Sequence, residues 1–100
     1  MLNSRQRAQL RAMANALETI VQIGKNGITE SVTAQVADAL KARELIKGRV
    51  LETASMTPRE AAEQLSRSCL AEPVQVIGTR FVLYKENRET PKDKRIRLVK

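Results

Sequence analysis

Two glycines frame a basic and a polar residue in the stretch IGKNGITE, residues 23–30. Because Gly24 and Gly27 lack a Cβ atom, the backbone between them can adopt unusual angles and can approach another molecule closely. Lys25 adds a mobile positive charge and Asn26 a hydrogen-bonding amide. A helix is predicted to start just after this loop, and the free N–H groups and positive dipole end of a helix start attract phosphate. These residue types predict a clamp that holds a phosphate backbone without reading bases.

The clamp interpretation depends on the elements around the loop. Thr19–Ile23 is a short β-branched run, typical of a strand that ends at Gly24. Thr29 is suited to cap a helix that extends to about Arg43, and it joins the loop as a candidate site residue. A GxxG pattern alone is a weak signal, since Asn-Gly is an ordinary turn dipeptide. The position between a strand and a capped helix leaves the phosphate clamp and the ordinary turn as equal alternatives.

The hydrophobic pattern alternates between helical and strand periods and predicts the order αβαβαββ. Helices are expected over about residues 4–16, 29–43 and 57–69, and strands over about residues 19–23, 45–51, 74–77 and 80–85. The last two strands should form a hairpin around Gly78-Thr79. This order predicts one compact α/β domain of the α+β type, with three helices and a four-stranded mixed sheet. We assign it to residues 1–88, followed by a basic tail at residues 89–100.

Two of the predicted helices have clear start signals. Ser4 can cap the first helix, whose apolar face is predicted to consist of Leu10, Met13, Ala14 and Leu17. Thr57 and Glu60 can exchange hydrogen bonds in a capping box, with Pro58 at the position where no bond is lost. The third helix should therefore start at Thr57 and bury Ala61, Ala62, Leu65 and Cys69.

The net charge of +7 favours a polyanionic partner, because neutralised phosphates release counterions and attraction steers association. The excess of cations lies at both ends of the chain. Side chains alternate along a strand, so Lys47 and Arg49 should share one face while Ile46 and Val50 share the other. We expect the basic pair to face solvent.

The polar tail from Glu86 to Lys100 allows two interpretations. Its cations could form a flexible arm that grips phosphate, but composition alone favours a solvated end. They are Lys92, Lys94, Arg95, Arg97 and Lys100. Ile96, Leu98 and Val99 alternate enough to add a short edge strand, which would fit neither interpretation.

Enzymatic chemistry is not indicated. The chain has no histidine, which excludes histidine-based acid/base catalysis, nucleophile activation and metal ligation. Cys69 lies on the side of its helix that should be buried, and a reactive thiolate needs exposure and a positive setting. No pair of carboxylates stands out. We expect no catalytic residue, no metal site and no cofactor.

Apolar runs are too short to span a bilayer, and the first residues lack the apolar core of a secretion signal. The single cysteine cannot form an internal disulfide, in keeping with a reducing compartment. We expect a soluble cytoplasmic protein without a membrane or small-molecule partner.

The two aromatic residues limit how a nucleic acid could be read. Phe81 and Tyr84 lie in one predicted strand, whose alternation puts at most one of them toward solvent. A row of base-stacking platforms is therefore not expected, and affinity should come mainly from phosphates. The apolar neighbours of Phe81 favour a place in the core.

Four collinear segments resemble a known family, the CRM domain named for chloroplast RNA splicing and ribosome maturation. They are RQRAQLRAMANAL, VQIGKNGITESV, ELIKGRVLE and VQVIGTRFVLYKEN. The similarity covers nearly the whole chain and is to the stand-alone bacterial, YhbY-like form. It implies a fold related to the C-terminal domain of a bacterial translation initiation factor, with a GxxG loop that contacts RNA.

Carried onto this chain, the resemblance puts the RNA clamp on Gly24, Lys25, Asn26 and Gly27. Lys47, Arg49 and Arg80 are basic positions that could extend the surface. The tail is more basic than the family leads us to expect.

The resemblance implies binding to ribosomal RNA in large-subunit precursors, with a role in assembly of that subunit. Two alternatives stay open: a basic adaptor that docks on protein in ribosomal particles, and a binder of a non-ribosomal RNA. A helix-turn-helix DNA binder is disfavoured because predicted strands separate the helices.

Overall fold

A computed structural model describes residues 2–89, 91 and 95–100 of the chain. Its elements follow the predicted order αβαβαββ, which is thereby confirmed together with the α+β class. They are α1 (Ser4–Ala14), β1 (Thr19–Ile23), α2 (Glu30–Arg43), β2 (Leu45–Val50), α3 (Pro58–Cys69), β3 (Glu72–Ile77) and β4 (Arg80–Tyr84).

The strands form one mixed four-stranded sheet in the order β1-β2-β4-β3. β1 runs parallel to β2, whereas β4 is antiparallel to both β2 and β3. The predicted hairpin joins β3 to β4 through Gly78-Thr79, and Gly78 has a φ of 58°, which glycine adopts without strain. β1 and β3 are the two edges of the sheet.

Each face of the sheet packs its own apolar cluster. The face under α2 and α3 carries the larger one, in which Phe81 is fully buried among aliphatic residues of the sheet and both helices. The predicted burial of Ala61, Ala62, Leu65 and Cys69 is confirmed there. The opposite face holds a smaller cluster, covered by α1, Leu2 and two tail residues, Ile96 and Leu98.

The start of α1 differs from the prediction. Asn3, not Ser4, is the N-cap: its side chain accepts a hydrogen bond from the Gln6 backbone N–H, and the Gln6 side chain accepts one from the Asn3 N–H. Such a reciprocal pair needs an amide or carboxyl side chain three residues after the cap. Gln6 has that position relative to Asn3, whereas Arg7 has it relative to Ser4. Met13 is 39% exposed, so the apolar face is narrower than the pattern predicted. The caps at Thr29 and Thr57 are confirmed.

The tail is neither a solvated end nor an edge strand where the structure describes it. Residues 95–100 contribute no strand, because they cross the α1 face of the sheet instead of extending an edge. Ile96 and Leu98 pack into the smaller cluster. Lys92 and Lys94, two of the predicted tail cations, lie outside the described residues. The division at residue 88 stays a proposal.

Glu44 ties this tail to the domain from a buried position, with 4% of its surface exposed. One carboxylate oxygen accepts from the Asn87 N–H at 2.8 Å and the other from the Ile96 N–H at 2.9 Å. Its backbone carbonyl also accepts from the Lys85 N–H. Charge-assisted bonds to both oxygens stabilise a carboxylate that burial alone would disfavour.

Tyr84 gives a prediction that a single absorbance titration checks. Burial, followed by the negative charges of Glu44, Glu86 and Glu72, raises the pKa of Tyr84 to about 12. It is the chain's one tyrosine, and there is no tryptophan. We expect tyrosinate absorbance to rise near pH 12 in folded protein but near the ordinary value of about 10 in urea-unfolded protein.

The same shift makes the fold lose stability at high pH. Below the unfolded-state pKa both states keep the phenol proton, so the free energy of unfolding does not depend on this group. Between the unfolded-state and folded-state pKa values, only the unfolded state releases the proton, which favours unfolding. Stability should therefore fall as pH rises from about 10 to about 12. A midpoint near 10 in protein that is still folded would contradict the burial of this phenol.

Candidate nucleic-acid interface

The loop after β1 is a tight turn that presents its two central side chains to solvent. The Gly27 N–H donates to the Gly24 carbonyl at 2.9 Å, and Lys25 and Asn26 between them are exposed. Neither central residue has a positive φ, and glycine is favoured at the fourth position of such a turn. The turn thus holds one cation and one amide side by side on the surface.

The two glycines have different roles. Gly27 has a φ of 68°, a left-handed conformation, and nothing lies within 4 Å of where its Cβ would stand. That backbone is open to a ligand. A Cβ on Gly24 would lie 3.6 Å from Leu51 Cδ1 and from Thr53 Oγ1, which is ordinary contact, and its φ is not left-handed. The prediction that both glycines allow unusual angles holds for Gly27 and is wrong for Gly24.

The start of α2 adds less to this site than the sequence predicted. The Thr29 hydroxyl oxygen accepts from the Val32 N–H at 3.2 Å, so its acceptor role is used in capping. Glu30, the first residue of α2, already provides a negative charge at the positive end of the helix dipole. A phosphate would be repelled by that carboxylate, and the turn itself is the better contact.

A row of four exposed side chains crosses the sheet beside this loop. Gln22 of β1 pairs with Arg49 of β2, which pairs with Arg80 of β4, which pairs with Ile77 of β3. Paired residues point to the same face, and here that face is the one shared with α1. α1 and the tail cover the other end of this face. We call Gln22, Arg49, Arg80 and Ile77 the open row.

Arg49 and Arg80 form the centre of the open row. Residues directly opposite each other in an antiparallel pair have Cβ atoms about 4.5–5.5 Å apart, and like charges in that arrangement are destabilising. The structure gives neither arginine an ion pair within the described ranges, and both are exposed. This fold therefore keeps two repelling cations side by side on an open surface, which favours an anionic ligand.

Lys47 lies one row deeper on the same face, opposite Val82. It is half-buried, so the prediction that it faces solvent as Arg49 does is only partly correct. The reason is position: its row borders the end of the sheet that α1 covers. Lys47 stands behind the open row and not in it.

The loop and the open row lie at the same end of the sheet. The Leu51 N–H donates to the Ile23 carbonyl, and the Val50 N–H donates to the Thr79 carbonyl, both at 2.8 Å. These bonds hold together the ends of β1 and β2 and the β3–β4 turn. The predicted site residues thus meet at one end, with Lys47 one row deeper.

Gln22 and Ile77 belong to this surface although sequence reasoning did not select them. Ile77 is 61% exposed and is the one apolar side chain of the open row. The predicted hairpin could have identified Ile77, because the two residues that flank a two-residue turn face each other and Arg80 is the other one. Gln22 could be found only from the pairing of β1 with β2.

Both aromatic rings are buried, Phe81 completely and Tyr84 with 5% of its surface exposed. The predicted core position of Phe81 is confirmed. Since these are the chain's only aromatic residues, no ring is available on the surface to stack on a base. The open row and the loop can offer charge, amides and one aliphatic side chain.

The chain's single thiol lies in the core, away from solvent. Cys69 is buried, its Sγ lies 3.8 Å from the Thr33 carbonyl, and burial raises the pKa of its thiol. Residues 2–89, 91 and 95–100 hold no group of three or more acidic, cysteine or histidine residues suited to a metal ion. None of the helices in these ranges is long and apolar enough to cross a membrane.

The fold and this surface define a small α+β protein with a cationic sheet end that lacks exposed aromatic rings. The chain belongs to the CRS1/YhbY (CRM) domain family, whose sequence model matches residues 2–85. It is 42% identical to the "Probable RNA-binding protein YqeI" of Bacillus subtilis over 89 residues, which cover 89% of this chain and 93% of the relative.

Two further proteins match this chain over most of its length. An "RNA-binding protein" of Haemophilus influenzae is 35% identical over 88% of this chain and 89% of its own length. The solution structure of a Staphylococcus aureus protein superposes with a TM-score of 0.80 and 41% sequence identity, covering 99% of this chain and 100% of that one.

Proposed function

We propose that this protein binds RNA through the GKNG loop, Gly24–Gly27, and the open row. The observation that carries the proposal is the exposed Arg49–Arg80 pair beside that loop. Relatives that carry the name RNA-binding protein over most of this chain support it.

Each part of the surface has a physical role in this proposal. A guanidinium forms paired hydrogen bonds to phosphate oxygens, so Arg49 and Arg80 hold adjacent phosphates. Lys25 adds a point charge, and the open backbone at Gly27 lets the sugar-phosphate chain come close. Lys47 strengthens the field from behind, and Thr29 fixes where the helix begins. Without exposed aromatic rings, the protein grips the backbone and does not stack on bases.

We further propose that the RNA is ribosomal RNA in precursors of the large subunit, where the protein assists assembly in the cytoplasm. This part rests on the family resemblance. The alternatives are an adaptor that docks on ribosomal protein, and a binder of another RNA.

The loop gives the first test. Lys25→Glu with Asn26→Asp should weaken binding to an RNA stem about tenfold, because a phosphate contact is replaced by repulsion. Folding should change by less than about 0.5 kcal/mol, since both side chains are exposed and unpacked. Arg67→Glu with Ser68→Asp is the matched control: it changes the net charge equally on an exposed part of α3. Equal affinity of the loop variant and this control would remove the loop from the site.

Sedimentation of a cell lysate on a sucrose gradient tests the ribosomal part. The native protein should migrate with large-subunit precursors and the loop variant should not. Treatment with ribonuclease should release the native protein, whereas a protein-docked adaptor would stay with residual protein complexes. If native protein stays at the top of the gradient while it binds a purified RNA stem, the RNA is a different one.

A further inference from the structure

The described end of the tail is fastened to α1 by side-chain amides. The Gln9 side chain donates to the Arg97 carbonyl at 2.6 Å and accepts from the Val99 N–H at 2.8 Å. The Gln6 side chain donates to the Val99 carbonyl at 2.9 Å. Two glutamines on one side of α1 thus bond the tail backbone much as a neighbouring strand would.

This docking fixes which tail side chains face outward. Ile96 and Leu98 pack inward on the smaller apolar cluster, while Arg97 between them and Lys100 beyond are exposed. Arg95 is different, because it contacts the Glu86 carboxylate at 3.4 Å and donates to the Arg88 carbonyl. The outward cations of the docked segment are therefore Arg97 and Lys100.

α1 adds cations without acids to the same surface. Its sequence contains Arg5, Arg7 and Arg11 and no acidic residue, whereas α2 and α3 each carry two acids and two cations. Arg5 is exposed and lies four residues before Gln9, so it stands one helical turn from the contact with the tail. It is also in the first turn, where the helix dipole disfavours a positive charge.

The electrostatic cost of this arrangement is a reason to look for a ligand. α2 and α3 place Glu30 and Glu60 in their first turns, as the dipole favours, whereas the first turn of α1 holds Arg5 and Arg7 and no acid. The positive charge gathers on the side of the sheet that also bears the open row. Arg7 donates to the Pro73 carbonyl and so supports the fold, whereas the exposed Arg5 gains nothing from its place in the first turn. A polyanion on that side would be attracted by all of these charges.

We propose that Arg5, Arg97 and Lys100 form a second phosphate-binding surface for the same RNA. This inference rests on the proposed RNA-binding function. The open row occupies one end of the sheet face, and α1 with the docked tail occupies the other, so both surfaces look in the same direction. The molecule measures 39 × 25 × 22 Å. A double-stranded stem laid along this side meets both surfaces, and its stacked bases suit a protein without exposed aromatic rings.

The test compares RNA stems that differ in length. An A-form RNA stem rises by less than the roughly 3.4 Å per base pair of B-form DNA, yet a stem of about 18 base pairs is still longer than the protein and one of about 6 is shorter. In Arg5→Gln with Arg97→Gln, affinity for the long stem should fall about tenfold, and the slope of log K against log salt should decrease by about two. Affinity for the short stem should stay within about twofold of the native value, because the open row and loop alone bind it.

Folding does not confound this comparison. Both side chains are exposed, the tail bonds use the backbone of Arg97, and removing Arg5 from the first helical turn relieves a dipole repulsion. Melting temperature should thus stay unchanged or rise. Lys41→Gln with Arg67→Gln, on exposed parts of α2 and α3, is the control for net charge.

The outcomes separate the two proposals. Native affinity of the double variant for the long stem, with unchanged salt slope, overturns the second surface and leaves the first intact. An equal loss of affinity for both stems also overturns it, because the effect then does not depend on the length of the stem. If native protein binds single-stranded RNA but neither stem, the second surface is overturned; if it binds neither stems nor single-stranded RNA, the proposed function itself fails.

Discussion

Replacing both Arg49 and Arg80 by glutamate is expected to lower the affinity for an RNA stem about a hundredfold at physiological salt. Two phosphate contacts are lost, and two carboxylates repel the strand that the arginines attracted. The paired positions at the centre of the open row make this the largest effect on binding that two exposed side chains should produce. Fluorescence anisotropy with a labelled stem measures it.

The single variants sharpen this prediction because stability and binding should change in opposite directions. With Arg49→Glu alone, the new carboxylate lies opposite Arg80, and a cross-strand pair of opposite charges contributes about 0.2–1 kcal/mol to folding. Affinity should nevertheless fall about tenfold. Urea unfolding and anisotropy on the native protein, both single variants and the double variant give the full comparison.

Two results would contradict the account of this arginine pair. Affinity that is unchanged in the double variant would show that RNA does not reach the open row. Affinity that falls only together with stability would show that the arginines support the fold and not a ligand.

Gly48→Ala is expected to destabilise the fold by about 3 kcal/mol, the upper part of the range for overpacking a core. A Cβ on Gly48 would stand 2.3 Å from the Cζ atom of Phe81 and under 3 Å from two further ring atoms. The ring is fully buried in the apolar cluster between the sheet and the helices α2 and α3, so it has no space into which to move. Proteins of this size are stable by only about 5–15 kcal/mol, so the loss is a large fraction.

The contact with Phe81 is tested by a double-mutant cycle. Phe81→Leu alone should destabilise by leaving a cavity, but Gly48→Ala should cost much less in that background because the ring is gone. Gly24→Ala is the matched control, since a Cβ there meets only ordinary contacts. A loss under about 0.5 kcal/mol for Gly48→Ala, or strict additivity in the cycle, would contradict the close packing.

Local signals in the sequence predicted the elements well. Thr57 and Glu60 form the predicted capping box, and the two-residue turn at Gly78 joins the predicted hairpin. Alternation along β2 placed Arg49 on an exposed face. These features depend on residues that are neighbours in the chain, and short-range chemistry determines them.

What the sequence could not predict depends on contacts between distant segments. The Arg49–Arg80 pair requires the register between β2 and β4, and the docking of the tail joins Gln6 to Val99 across 93 positions. The buried role of Glu44 follows from two backbone N–H groups that come from elsewhere in the chain. Composition alone favoured a solvated tail, because it does not show that Ile96 and Leu98 pack on a distant part of the protein.

Gly27 and Gly48 show the same difference between local and long-range information. Gly27 sits in an Asn-Gly turn, and its left-handed φ fits that local pattern. Gly48 lies in a strand where its small size matters only because Phe81 of β4 packs over it. Because Gly48 leaves room for the Phe81 ring, β2 can lie against β4 and hold Lys47 and Arg49 in place.

Nuclear magnetic resonance mapping tests the central claim most directly, since it needs no substitution and locates the RNA on the native protein. An RNA stem of about 18 base pairs, longer than the protein, is titrated into isotope-labelled protein while each backbone amide is followed. We predict the largest shifts at Gly24–Gly27, Gln22, Arg49 and Ile77–Arg80, with a second group at residues 97–100. Largest shifts on the outer sides of α2 and α3, with the GKNG loop unchanged, would contradict the account.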